Sequence, residues 1–95
     1  MAHDVRNNPD RSRYEIYVDD RLVGIADYEV DDRSVVFPHT EITPSLRGHG
    51  LGAELVRGAL DDVRDRFPGR QVVPVCWYVA EFIDENPEYR VLVER

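Results

Sequence analysis

The hydrophobic period of this 95-residue chain changes at one place, between Ile42 and Gly50. Before it, apolar and polar residues alternate, as half-buried strands require. Tyr14, Ile16 and Val18 alternate with Arg13, Glu15 and Tyr17, and Ala26, Tyr28 and Val30 alternate with Asp27 and Glu29. The pattern predicts strands over Arg13 to Val18, Leu22 to Val30 and Val35 to Ile42, joined by the polar turns Asp19-Asp20 and Asp31-Asp32-Arg33-Ser34. Connections this short make an antiparallel meander. Gly24 marks a bulge or a close backbone approach in the second strand. Pro38 cannot donate to a ladder, so the third strand needs a free edge or a bulge there. After the change, Leu51, Leu55, Val56, Ala59, Leu60, Val63 and Phe67 fall on one helical stripe, while Glu54, Arg57, Asp61, Asp62 and Arg64 face away. Pro68-Gly69 stops this helix, and the apolar run Gln71 to Val75 reads as a buried strand. A helix of that length between two strands implies a parallel pair with a right-handed crossover. A second helix runs from about Trp77 to Glu85 and ends at Asn86-Pro87; Val91 to Val93 reads equally as a final strand or a helical turn. The expectation is a mixed α/β (α+β) fold.

Length and composition bound the functions open to such a fold. Residues 1–12 are polar and read as a flexible lead-in, with His3 incidental there; residues 13–95 read as one domain with a thin core. The 12 basic and 19 acidic residues leave a net charge of -7. Such a chain lacks the basic face that counterion release from nucleic acid requires, so nucleic acid is not an expected partner. No apolar run approaches the ~18 residues of a spanning helix, and no apolar leader segment is visible, so the expectation is a cytoplasmic protein that does not enter a membrane. The single cysteine, Cys76, excludes an internal disulfide and a Cys-rich zinc site. All 12 basic residues are arginine, which removes P-loop and Schiff-base chemistry. The pairs Asp19-Asp20, Asp31-Asp32 and Asp61-Asp62 lack zinc or calcium ligand spacing and read as solvated charges, not a metal site.

The feature with most chemical content is Arg47-Gly48-His49-Gly50-Leu51-Gly52, between a strand and an amphipathic helix. Glycines let the chain turn tightly and bring bare backbone close to a ligand. The free N–H groups of the first helical turn, at the positive end of the dipole, suit an anion. The motif therefore reads as a phosphate or pyrophosphate cradle, with a ligand-free strand-to-helix turn as the alternative. It is not a P-loop, and a strand from a meander before it fits a Rossmann opening poorly. Arg47 can pair with phosphate or fix the loop, and His49 reads as a side chain near a phosphate.

The same hexamer matches the acetyl-CoA pyrophosphate motif of the GNAT superfamily of N-acetyltransferases. The chain resembles most closely its short, single-domain members, which carry His-Thr-Glu before the loop (here His39-Thr40-Glu41), Pro-x-Cys-x-Tyr after the next strand (Pro74 to Tyr78) and a closing Pro-Glu-Tyr (Pro87-Glu88-Tyr89). The resemblance spans about Tyr14 to Tyr89. It implies a mixed sheet whose parallel pair splays apart, with pantetheine entering the splay and bonding to the strand from Val35 to Ile42 like an added strand. It implies an N-acetyltransferase that takes acetyl-CoA as cosubstrate and a small amine or a peptide as acceptor. The chain departs from longer relatives in that a mere turn joins its first two expected strands, where helices usually wall the acceptor site. A non-catalytic CoA-binding or protein-interaction module is the alternative function.

Five residues are candidates for the chemistry. Cys76 opens a helix, where the dipole favours a thiolate that could carry an acetyl group; otherwise it is a small buried hydrophobe. His39 and Glu41 share a strand face and can take the proton that an ammonium acceptor must lose; otherwise they belong to a solvated face. By resemblance, Tyr78 is the acid that protonates the departing thiolate, with Tyr89 behind it; otherwise each is a packed aromatic. The expected CoA contacts are Ile42, Arg47, Gly48, His49, Gly50, Leu51 and Gly52. An acidic surface suits a cationic amine or a basic peptide, and a monomer and a weak homodimer both remain open.

Overall fold

The computed structural model describes residues 2–95. One sheet holds five strands in chain order: β1 (His3–Asn8), β2 (Arg13–Val18), β3 (Arg21–Val30), β4 (Ser34–Ile42) and β5 (Gln71–Val73). The first four pair antiparallel. Helix α1 (Leu51–Arg66) crosses over to bring β5 parallel to β4, and α2 (Trp77–Glu85) and the single turn α3 (Arg90–Val93) follow. This is the mixed α/β architecture that the period change predicts.

The stripe on α1 explains the core. Leu51, Leu55, Val56, Ala59, Leu60 and Val63 are buried against Tyr14, Ile16, Ala26, Tyr28, Val35, Phe37 and Val72 of the sheet. Val79, Phe82, Ile83, Tyr89 and Leu92 extend the same cluster. The β2–β3–β4 register puts the rows Arg13, Asp27, His39 and Glu15, Ile25, Glu41 together on one face of the sheet, the face away from α1. Glu15 is nevertheless only 4% exposed. Burial pushes its carboxyl pKa up, but hydrogen bonds from Arg13, Tyr17 and Asn8 outweigh that and hold it below the usual carboxylate range.

Three expectations need correction. The stretch expected as a flexible lead-in contains β1, paired with β2 from His3↔Val18 to Asn8↔Arg13. Its helix-facing positions include one apolar side chain, Val5, so no hydrophobic period shows in the sequence. Backbone pairing and polar links hold it, with the Tyr28 hydroxyl donating to Asn7 Oδ1 at 2.7 Å and Asn8 Nδ2 to Glu15 at 3.1 Å. A polar edge strand of this kind also discourages unwanted pairing. Second, β5 stops at Val73, and Val75 is 64% exposed, because Pro74 has no N–H to continue a ladder. Third, Asp61 and Asp62 are not simply solvated charges: Tyr89 donates to Asp61 at 2.7 Å and Tyr14 to Asp62 at 2.6 Å, tying α1 to its neighbours. Asp31 lies exposed in its turn, as expected, and accepts the amides of Arg33 and Ser34, both at 2.8 Å, closing the turn as an Asx cap.

Pro38 behaves as its chemistry demands. Asp27 pairs with His39 and Glu29 with Val36, so Phe37 and Pro38 together stand opposite the single residue Tyr28. That is a bulge in β4, and it determines where the functional cleft lies.

Candidate active site

The bulge changes which neighbour the peptide groups of β4 address. Ahead of it, the Phe37 carbonyl accepts the Cys76 amide at 2.8 Å, on the β5 side. Beyond it, the Thr43 amide donates to Val23 O at 2.8 Å, on the β3 side. Peptide groups alternate along a strand, so those of His39 and Glu41 also address β3, and those of Thr40 and Ile42 address the other edge. There β5 pairs only with Ser34, Val35 and Val36. The Thr40–Ile42 edge is thus open to an extended ligand.

This edge floors a cleft of about 570 Å³. Leu46, Arg47, Gly48, Gly50, Leu51 and Gly52 form one wall, and Trp77 and Tyr78 the other. Gly48 and Gly50 have φ of 85° and 76°, a region that side chains resist, and a Cβ at either would meet nothing. Conformation rather than space therefore requires glycine at both. Gly50 caps α1, and the first helical bond there runs from the Glu54 amide to Gly50 O at 3.1 Å. The amides of Leu51, Gly52 and Ala53 precede that bond and stay available at the positive end of the helix dipole. Gly52 leaves room for the Tyr78 phenol where it stands: a Cβ there would lie 2.2 Å from the Tyr78 hydroxyl oxygen. Burial, and then the charges of Glu81 and Glu85, raise the Tyr78 pKa. Its phenol keeps its proton at neutral pH and can donate it.

Cys76 is half-buried as the N-cap of α2, and its thiol contacts Thr40 Oγ1 at 3.6 Å, at the end of the cleft floor. Glu41 reaches the cleft and also a shallower hollow of about 380 Å³ that it shares with Arg13, Ile25, Ile42 and Arg47. His39 lies 3.6 Å from Glu41, with both side chains more than half exposed, but does not line the cleft. His49 points away from it, into a separate cavity behind the loop. Tyr89 does not line the cleft: it is 5% exposed, donates to Asp61, and accepts from Arg57 at 3.3 Å.

The structure thus brings Glu41, Ile42, Arg47, Gly48, Gly50, Leu51, Gly52 and Tyr78 around one space, sets Cys76 beside it, and leaves His39 and His49 outside. Beside Trp77, which is 70% exposed at the cleft wall, two cleft residues had no assigned role in the sequence. Thr40 shares the edge of Ile42 by strand alternation, a signal the sequence contains once the bulge is located. Leu46 sits in a 3-10 turn, Pro44–Leu46, that carries no period. Among the described residues no three metal-ligating side chains cluster, and no helix is long and apolar enough to cross a membrane.

Comparison with known proteins bears on this geometry. A family described as GCN5-related N-acetyl-transferase matches residues 13–92. Protein NATD1 of Bos taurus is 35% identical, over 87% of this chain and 75% of its own length. The Homo sapiens Protein NATD1 is 33% identical with the same coverage, and that of Xenopus tropicalis is 31% identical, over 87% of this chain and 78% of its own.

Proposed function

Because the chain belongs to the GCN5-related N-acetyl-transferase family, we propose that it transfers an acetyl group from acetyl-CoA to an amine. One observation carries this reading: an open strand edge, free first-turn amides and a protonated phenol surround a single cleft. The residues present suit the cosubstrate. The amides from Gly48 to Gly52, with Arg47, bind the diphosphate. The Thr40 and Ile42 peptide groups bond to pantetheine as a neighbouring strand would. Acetyl-CoA supplies an acyl group on a thiol leaving group. The acceptor nitrogen forms the new C–N bond as the C–S bond breaks. Glu41 takes the proton that the ammonium must lose, directly or through water, and Tyr78 gives its proton to the departing thiolate. His39, 3.6 Å from Glu41, orients that carboxylate.

Mass spectrometry of the acceptor after incubation with acetyl-CoA and a panel of amines and peptides tests the proposal. A gain of one acetyl group on an amine is expected, and its loss in a Glu41→Gln, Tyr78→Phe double variant. Absence of transfer across the panel, with CoA still bound, would instead establish the second reading, a CoA-binding module without turnover. That reading draws on the short connections β1–β2 and β2–β3, which raise no helical wall over the acceptor side beyond one 3-10 turn, Pro9–Arg11. A covalent route through Cys76 is a variant of the first. It predicts an acetylated Cys76 in the absence of acceptor and a dead Cys76→Ala protein.

A further inference from the structure

The glycine loop has two sides, and only one faces the cleft. Behind it lies a second cavity of about 480 Å³, walled by Val18, Val23, Leu46 and Leu51, with Leu46 and Leu51 shared between the two spaces. A single layer of loop therefore separates them. The rim carries His3, Asp19, Arg21 and His49. The acidic groups near this rim are already engaged: Glu54 with His3 Nδ1 at 2.8 Å, Asp19 with the Ala2 amide at 2.9 Å, and Asp20 with Arg6 at 3.7 Å. Among the described residues, Arg21 and His49 stand in no ion pair. The cavity thus combines an apolar interior with an uncommitted guanidinium and an imidazole at its mouth, next to amides suited to a diphosphate.

That chemistry fits an anion with a flat apolar body, attached to the group that the loop holds. Resting on the reading above, we infer that the cavity behind the loop receives the nucleotide end of CoA. The adenine packs on Val18, Val23, Leu46 and Leu51, and Arg21 meets the 3′-phosphate. The carrier then bends over the loop, with its pantetheine arm in the cleft and its nucleoside in the second cavity. This also explains how a chain of net charge -7 holds a polyanion: Arg21, Arg47 and the loop amides each meet one of its phosphates, so the attraction is local.

Calorimetric titration of the whole chain with CoA, 3′-dephospho-CoA and 4′-phosphopantetheine tests the inference. The native chain should bind CoA about tenfold more tightly than 3′-dephospho-CoA, the gain expected of one charge-assisted phosphate contact. Arg21→Ala should bring that ratio to about one and leave 4′-phosphopantetheine affinity unchanged, and Arg21→Lys should retain most of it. Amide shifts at Val18 and Val23 should appear with CoA and not with 4′-phosphopantetheine. If CoA binds but the ratio is already near one, or Arg21→Ala weakens all three ligands equally, the nucleotide lies elsewhere and the inference is overturned while the thioester cleft stands. If none of the three binds, the acetyltransferase reading itself fails, and this inference with it.

Discussion

Gly52 on α1 leaves the space that the Tyr78 hydroxyl of α2 occupies: a Cβ at residue 52 would come within 2.2 Å of that oxygen. The two helices meet through this pair in the first turn of each, at the wall of the cleft. A glycine inside a helix ordinarily costs about 1 kcal/mol relative to alanine. Gly52→Ala should therefore leave the thermal midpoint unchanged or slightly raised, because the clash falls on the far end of a side chain that can swing aside. Acetyl transfer should fall about as far as in Tyr78→Phe, by about a hundredfold in kcat, the usual scale for loss of a general acid. Parallel melting curves and initial rates check this; a Gly52→Ala protein with full activity would separate the phenol from the chemistry.

Gly50 makes a different demand. Its φ of 76° is left-handed, and nothing stands near its absent side chain. Alanine there meets no clash but strains the backbone by about 1–2 kcal/mol. The loop should relieve that strain by moving its amides. Gly50→Ala should lose about 1 kcal/mol of stability and weaken CoA binding about tenfold, where Gly52→Ala leaves binding nearly intact. Denaturant midpoints and titration calorimetry on both variants read out the contrast.

Glu15 sets an acid limit to stability. Its folded pKa lies below the ordinary glutamate value. A group depressed on folding stabilises the native state above its unfolded pKa of about 4.3, and that contribution is lost as pH falls through the lower folded value. Glu15→Gln should cost about 1–2 kcal/mol at pH 7, and the deficit should shrink steadily below the ordinary glutamate range. Thermal midpoints of both proteins across pH 3 to 7 test the sign. A gap that is constant with pH would mean that packing, not charge, gives Glu15 its role.

The sequence made the meander, the crossover helix and the glycine loop legible because each has a strong local signature: period two, period 3.6, and glycine at positive φ. Pro38 marked a free edge or a bulge for the same reason, since the missing N–H is a property of the residue itself, and the structure shows the bulge. What stayed hidden depends on partners distant in the chain. Val5 alone marks β1 as packed, and its contact is Gly58, where a Cβ would come within 2.8 Å of it. The engagement of Asp61 and Asp62 requires Tyr89 and Tyr14, 28 and 48 positions away. His39 and Glu41 share a strand face, as alternation predicts, yet only Glu41 reaches the cleft, because the bulge and the end of β5 fix where the opening begins.

Four of the five tyrosines donate their hydroxyls within the protein, and this sets them apart from the phenol that the proposed chemistry uses. Tyr14 donates to Asp62, Tyr17 to Glu15 at 2.9 Å, Tyr28 to Asn7 and Tyr89 to Asp61. Tyr78 has no such acceptor among the described residues, and it lines the cleft. Tyr14→Phe and Tyr89→Phe should each cost about 1 kcal/mol of stability, the net worth of one hydrogen bond. Tyr14→Phe leaves Asp62 with Arg66 alone, and Tyr89→Phe leaves Asp61 with Arg64 and also removes the acceptor of Arg57. Both should keep kcat within about twofold of the native chain, whereas Tyr78→Phe should keep the melting temperature and lose kcat. Stability and rate measured on the same three proteins therefore move in opposite patterns. A Tyr89→Phe protein that is fully stable but slow would reassign the proton donor.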